Sequence, residues 1–400
     1  MTKRIITILL IVPIMVSAQY YRNPIKMDLN QIIDSALIHH PEIKNAGLKV
    51  LESKTHNLDF LNFKPTEFNY HHGQLFSSQA DKNFEIKQNF GSPFSWISKA
   101  NCTNNQVGLQ NAELEITKRH VISKIKSAYY SCIYEMNRLE ILKQQKELFS
   151  ATSRISDFQF KNKDDSIFEK SNAEMQYGNV QNQLDIAFDD YLIAKNNLML
   201  AAYIDYNIEP EWEELDMIEI AASTDSSERA PGNLFKNYDK TRYKLAESKL
   251  KFENSKFFPE FSAGYFFQSI NHVNGYQGWQ VGISFPLWYF PQRAKQKEAA
   301  IEKQIVYNEQ ELNKSKIHST TDSYLIELDK LFLRLNYFYD YALKHSDLLE
   351  SHAKKKLENN EINLSEYLQK LDEVFKTRLE YLKTLDEYNQ TAINLELYTY

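Results

Sequence analysis

The stretch Pro259–Trp288, PEFSAGYFFQSINHVNGYQGWQVGISFPLW, is rich in glycine and aromatics in a chain otherwise made of charged, helix-forming sequence. It alternates. Trp279, Val281, Ile283, Phe285 and Leu287 fall on one side, and Gln280, Gly282 and Ser284 on the other. Upstream, Phe261, Ala263, Tyr265 and Phe267 share one face and Ser262, Gly264 and Gln268 the other, with Phe266 out of step. A period of two is that of a β-strand. The polar NHVNGYQG (271–278) reads as the loop that joins two strands into a hairpin. Each strand is about ten residues long, which matches a tilted membrane-spanning strand.

The pattern has a counterpart near the N-terminus. FLNFKPTEFNYHHGQLF (Phe60–Phe76) parallels ENSKFFPEFSAGYFF (Glu253–Phe267) when Pro65 is set against Pro259. Phe84, Ile86 and Phe90 then alternate with Glu85, Lys87 and Asn89 before Gly91-Ser92-Pro93. Each half therefore carries one strand pair followed by a long helical region. In the first, Ile122, Ile125, Tyr129, Cys132, Met136 and Leu139 recur at alternating three- and four-residue spacing. In the second, Leu364, Leu368, Leu371, Phe375, Arg378, Leu382 and Leu385 do the same, with Arg378 the one break. A neighbouring stripe of Tyr367, Val374, Tyr381, Tyr388 and Leu395 gives that helix partners on two sides.

These seams predict long helices at 101–149 and 293–352, and shorter ones at 28–61, 167–202 and 364–397. The connector at 203–232 loses periodicity and carries an acidic cluster (Glu211, Glu213, Glu214, Asp216, Glu219), read as a solvated segment. The organisation is then a segment 1–18, a first repeat at 19–202, the connector, and a second repeat at 233–400. The opening MTKRIITILLIVPIMVSAQ has a basic start, an apolar run from Ile5 to Val16 and a small-residue site at Val16-Ser17-Ala18. It reads as a secretory signal, too short for the ~20 apolar residues of a spanning helix. No other helical span is apolar enough, so membrane residence requires β-barrel strands.

A net charge of −6 gives no basic surface for nucleic acid. The 25 Tyr and 24 Phe suit interfacial girdles as well as cores. Cys102 and Cys132 lie on one predicted helix, about 45 Å apart at 1.5 Å per residue, so they cannot form a disulfide. The chain has no G-x-S-x-G, H-E-x-x-H, P-loop or dinucleotide fingerprint, and it reads as no enzyme and as needing no cofactor. His71 and His72 are adjacent on a strand and face opposite sides, against a joint metal site. Four strands cannot close a barrel, whose smallest common form has about eight, and open edges are not viable in lipid. Other copies of the chain must complete it, with eight, twelve or sixteen strands all open on spacing alone.

Together these pieces resemble the TolC-type outer-membrane efflux proteins over essentially the whole mature length. MDLNQIIDSALIHHPEIKNAGLKVLESK (Met27–Lys54) is similar to the family's opening pattern, an amphipathic helix interrupted by a small-x-x-x-Pro-Glu element. FFPEFSAGYFF and GWQVGISFPLWYFPQRAK resemble its strand-to-helix elements, and NEINLSEYLQKLDEVFKTRLEYLKTLDEYNQTAINLE its helix tip and last helix. The resemblance implies a mainly α fold with a small β part. Long antiparallel helical hairpins would form a periplasmic α-barrel, and four strands per protomer a 12-stranded outer-membrane barrel in a homotrimer. It implies a passive efflux conduit of a Gram-negative type cell. Its partners would be a periplasmic adaptor (membrane fusion protein) and an inner-membrane pump of the resistance-nodulation-division type. GYQGWQVGISFPLW looks most like members paired with heavy-metal pumps; drug efflux and type I protein secretion are the alternatives, and a membrane-anchored structural or adhesive trimer is the alternative from another class.

The family usually has a glycine at the helix-hairpin tip. Here the tips read FQFKNKDDS (Phe158–Ser166) and KLENNEINLSE (Lys356–Glu366), with Asn162 and Asn360 in its place, and asparagine tolerates the left-handed conformation. The resemblance makes Asn162, Asp164, Asp165, Glu358, Asn360 and Glu361 the adaptor-docking tips. It makes Glu366, with Glu169 as its counterpart in the first half, the carboxylates of the periplasmic entrance, while Gln369 stands where some members have a second carboxylate. Rings of carboxylate favour cations. The alternative is that these are ordinary solvated carboxylates, or residues that favour a helix N-terminus through its dipole.

Overall fold

The computed structural model describes residues 24–56, 59, 63–159, 166–219, 233–287 and 289–399. The segment 1–18, the tip residues Asn162, Asp164 and Asp165, and the connector from 220 to 232 lie outside them. The chain divides into two compact units. The first comprises Met1–Pro41, Arg119–Ser226 and Thr321–Leu397, and the second Glu42–Lys118, Ser227–Thr320 and Tyr398–Tyr400.

In the first unit, β1 (Ile25–Met27) precedes α1 (Leu29–His39). Asp28 starts that helix: its carboxylate accepts from Gln31 N at 2.8 Å, and Gln31 Oε1 accepts from Asp28 N at 3.2 Å, a complete capping box. The helical stretch predicted over 28–61 is broken at the Pro-Glu element, where the resemblance implies an interruption. His40 is extended (φ −63°, ψ 126°), as a residue before proline tends to be, and Pro41 opens α2 (Pro41–Thr55).

The long helix α3 (Pro93–Gln159) starts well before the predicted 101 and runs on past 149. Of the predicted seam, Ile125, Tyr129, Cys132 and Leu139 are buried, whereas Ile122 and Met136 are only half-buried and Val121 and Ile133 are buried beside them. Cys102 and Cys132 are both free thiols. α4 (Ser166–Ala202) follows, then β4 (Ile208–Pro210), which pairs in parallel with β1 (Ile25 with Ile208). The connector is thus not simply solvated. Ile208 and Leu215 are buried, and two asparagines bind its backbone. Asn137 on α3 donates to the Glu213 carbonyl (2.9 Å) and accepts from Leu215 N (3.3 Å). Asn389, fully buried on the last helix α8 (Leu364–Thr399), donates to the Asp216 carbonyl (2.8 Å) and accepts from Ile218 N (2.9 Å). A side-chain amide can meet a peptide group as another peptide would.

Both predicted stripes of α8 are buried, apart from half-buried Tyr381 and Arg378. Arg378 pairs with Asp347 (2.9 Å) and Glu350 (2.7 Å), and its guanidinium lies 5.4 Å from the Phe375 ring centre. The break in the heptad is therefore a paired, half-desolvated cation. The predicted helix 293–352 is three pieces: α6 (Phe290–Tyr337), a π-helical turn (Phe338–Ala342) and α7 (Leu343–Glu358). Leu331 and Phe338 are buried one heptad apart, but burial resumes at Ser346 and Ala353, one residue late. The π turn absorbs that extra residue and keeps one face on the core.

The second unit holds α2, the start of α3, α5 (Asn233–Ser255), most of α6 and a four-stranded antiparallel sheet. Its strands are β2 (Glu67–Gly73), β3 (Asp81–Gly91), β5 (Glu260–Ile270) and β6 (Val273–Ser284), in the order β2-β3-β5-β6. The hairpin loop is much tighter than NHVNGYQG suggested. Asn271 and His272 are both left-handed (φ 50° and 65°), making a two-residue turn, and Ile270 pairs with Val273. β6 ends at Ser284, so Phe285 and Leu287 fall beyond it.

Candidate functional site

The register of the sheet aligns its side chains in rows. Phe68, Ile86, Tyr265 and Trp279 are successive cross-strand partners, as are Tyr70, Phe84, Phe267 and Gln277. Ala263 with Val281 and Phe261 with Ile283 extend the same face. It is apolar and open: Phe68 is 66% exposed, Val281 66% and Trp279 78%. Exposed apolar surface of this extent on one face is costly in water and stabilising in lipid.

The other face is polar. Glu67, Lys87, Gly264 and Gln280 form one row, and His71, Asn83, Gln268 and Tyr276 another. A side chain on Gly264 would meet Gln280 Nε2 at 2.8 Å and the Ile86 carbonyl at 2.9 Å. Its absence lets Gln280 cross over β5 and donate to the Glu85 carboxylate on β3. Phe266, out of step in the sequence, is accommodated in the same way. It lies over its partner Gly278, where a Cβ would stand 2.6 Å from its ring. His71 and His72 do face opposite sides, and His72 Nδ1 donates to the Asp81 carbonyl at 3.2 Å. Among the described residues no cluster of three His, Cys, Asp or Glu could hold a metal ion.

At the outer ends of the row order, β2 and β6 have one edge without a strand partner among the described residues. At the top of the β2–β3 loop, buried Asp81 accepts from Phe76 N (2.7 Å), Ser77 N (2.8 Å) and Ser77 Oγ (2.7 Å). It also accepts from Asn271 N (3.0 Å), which ties the β2–β3 loop to the turn of the next hairpin.

The first unit contributes the α7–α8 tip. Asn360 has φ 57°, the left-handed conformation expected of the residue in the glycine's place. Asn360 N donates to the Leu357 carbonyl (3.0 Å) and Glu361 N to the Lys356 carbonyl (2.8 Å), the two bonds of a Schellman motif. Asn363 then caps α8, its Oδ1 accepting from Glu366 N at 2.8 Å. Glu358, Asn360, Glu361 and Glu366 are all exposed. Beneath them Phe149, Ala173, Val180, Ala353, Leu364, Tyr367, Leu368 and Leu371 form a buried cluster, with Leu357 and Ile362 packed against it. The exposed tip thus stands on a rigid core drawn from α3, α4, α7 and α8. Asn172, in the second turn of α4, donates to the Ser365 hydroxyl in the first turn of α8, which carries Glu366; Glu169 lies three residues before Asn172 on α4.

No protein-family model matches the chain, and no curated protein matches its sequence. Solved structures do. CusC matches with a TM-score of 0.76 at 14% identity, over 94% of this chain and 94% of that one. The CmeC outer membrane channel of Campylobacter jejuni matches with a TM-score of 0.75 at 13% identity, over 92% and 84%. The open-state MtrE outer membrane channel of Neisseria gonorrhoeae matches with 0.75 at 14%, over 92% and 88%. The fold is that of the TolC-type outer-membrane channels.

Within this channel fold, the sequence pattern located the strands, the α7–α8 tip and its left-handed asparagine. It did not find Asp81, Gly264, Gly278 or the bridge from Gln280 to Glu85. The one signal was the pairing of small residues with an out-of-step Phe266, which becomes readable only once the register is known.

Proposed function

We propose that the chain is the outer-membrane channel protein of a tripartite efflux system, exported by the signal at 1–18. The observation that carries this is the four-stranded sheet: apolar and open on one face, polar on the other, unpaired at both edges among the described residues. A sheet in lipid must have its edges paired. Three copies joined β2 to β6 give a closed 12-stranded barrel, with the Phe68–Trp279 row toward lipid and the Glu67–Gln280 row toward the lumen. The likeness in fold to CmeC, CusC and MtrE supports the same reading. The helical hairpins then lie in the periplasm as a passive conduit whose energy comes from an inner-membrane pump.

In this proposal the tips around Asn162, Asp164, Asp165, Glu358, Asn360 and Glu361 receive the periplasmic adaptor. Glu366, with Glu169 on the adjoining helix, forms the acidic entrance. Cation cargo, heavy-metal ions in particular, rests on that acidic mouth and on the subfamily look of GYQGWQVGISFPLW.

The test is single-channel current from residues 19–400 in a planar bilayer, with and without Glu366→Ala. The expected result is small cation-selective steps that enlarge by about twofold or more in the variant. Steps untouched by the substitution would keep the conduit and remove the acidic entrance. Absence of conductance from folded, inserted protein would overturn the conduit in favour of an anchored structural trimer.

A further inference from the structure

At the foot of the sheet in the second unit, where β3 turns into α3, lies a cavity of about 380 Å³. Lys64, Lys99 and Lys256 line it together with Ser92 and Trp96. Its charges are unevenly matched. Lys64 is paired with Glu260 (2.6 Å) and Lys256 with Glu253 (2.7 Å), whereas Lys99 has no carboxylate partner among the described residues. The Lys99 and Lys256 ammonium groups lie over the same Phe252 ring, 5.4 and 4.4 Å from its centre, so two like charges share one small space. The carboxylates of the lining are both occupied. Glu260 also accepts from Asn89 (3.1 Å), and Asp59 stands 2.8 Å from His56 Nδ1.

Ser92 supplies a second, independent observation. It precedes Pro93 at the N-terminus of α3, where a serine hydroxyl ordinarily accepts from the first turn's amides. Here the Ser95 and Trp96 amides go instead to the Ser92 carbonyl, at 3.0 and 3.1 Å. Ser92 is only 4% exposed, and its buried hydroxyl has no hydrogen-bond partner among the described residues. A buried hydroxyl without a partner is rare. It lines the same cavity as an unmatched ammonium, at the positive end of a 67-residue helix.

We propose that this cavity binds a phosphate-bearing anion. Lys99 and the Ser92 hydroxyl are its direct ligands, while Lys64 and Lys256 frame the cavity with their charges already matched by Glu260 and Glu253. The site rests on the membrane reading for its source. Phe63, Phe90 and Trp96 meet edge to face beside the cavity at 5.5 to 5.6 Å, an aromatic cluster at the base of the lipid-facing sheet. Aromatic side chains mark the membrane–water interface, where headgroup phosphates lie. The fitting ligand is the headgroup of an acidic phospholipid, held where the barrel strands leave the bilayer.

The test is calorimetric titration of detergent-solubilised protein with dihexanoyl-phosphatidylglycerol, dihexanoyl-phosphatidylcholine and inorganic phosphate. The expected result is saturable binding of the phosphatidylglycerol and at least tenfold weaker binding of the phosphatidylcholine. Lys99→Gln should weaken phosphatidylglycerol binding about tenfold or more, and Lys99→Arg should restore most of it. Lys244→Gln, at an exposed lysine outside the cavity, should leave it unchanged. Ser92→Ala should weaken it severalfold and answers the question alone if Lys99→Gln does not fold. Inorganic phosphate binding as tightly as the lipid, with the same Lys99 dependence, keeps the anion site and overturns the lipid source. Equal binding of both lipids, or binding indifferent to Lys99 and Ser92, overturns the site. Because the probes are soluble, failure of the protein to enter a bilayer would strike the membrane reading without touching this result.

Discussion

Replacing Asp386 by asparagine should stabilise the protein at pH 8 and do little at pH 4. Asp386 is half-buried on α8, and burial pushes its carboxyl up from the ordinary 3.8 to about 6, with the neighbouring Glu387 charge adding to the rise. Gln390 opposes this by hydrogen bonding to the carboxylate, by more than Glu387 adds, but does not offset the burial. Its amide nitrogen reaches Asp386 at 3.3 Å but also serves the Ser127 carbonyl and the Ser131 hydroxyl, each at 3.1 Å. Between pH 3.8 and 6 the folded state holds the proton more tightly than the unfolded chain, so stability falls as pH rises through that window and is flat above it. At about 1.4 kcal/mol per pH unit, the ionised carboxylate costs about 2–3 kcal/mol at pH 8 and about 0.5 kcal/mol at pH 4. Asp386→Asn keeps the shape and removes the titration. Denaturant unfolding in detergent at both pH values should show a gain of that size at pH 8 only. Equal gains at both pH values, or a loss at pH 8, would refute the burial argument.

Gly278→Val should disrupt the sheet by driving a side chain into Phe266, and Phe266→Ala in the same chain should recover folded protein; failure of that rescue in a heat-modifiability gel would reject the contact. Asn360→Val should cost about 1–2 kcal/mol, since a β-branched residue resists φ 57°, while Asn360→Gly should be neutral or slightly stabilising in thermal unfolding. Cys132, buried and with its thiol pushed up to about 12, should react with a thiol reagent only after unfolding; labelling of the folded protein at pH 8 would show that α3 opens there.

Much of this fold is local in origin and was therefore legible. Alternation over ten residues makes a strand wherever it lies, and a heptad makes a seam whichever helix it meets. The stripes through Leu371 and Val374 were readable for that reason, and so was the left-handed Asn360, because few residues tolerate that backbone. The α1–α2 break was half legible: Pro41 announces it, but the period of the apolar residues runs through it.

What the sequence by itself determined is two pairs of two-faced strands of membrane length, each followed by a long helix. Tertiary structure alone decided how the pairs meet. β3 and β5 pair across the halves, which places Phe84 against Phe267 and makes one continuous apolar face from two separate hairpins. The β5–β6 register, with Ile270 against Val273, puts a tight turn at Asn271-His272 in place of the longer polar loop that composition suggested. The π turn at Phe338–Ala342 exists because α7 must present Ser346 and Ala353 to a core already set by the other helices. Ser92 and Lys99 are seven residues apart in sequence, about two helical turns, and unremarkable there. Only the folding of Lys64 and Lys256 around them, from distant segments, makes a site. Pairing between residues far apart in the chain depends on mutual fit, and no local pattern encodes it.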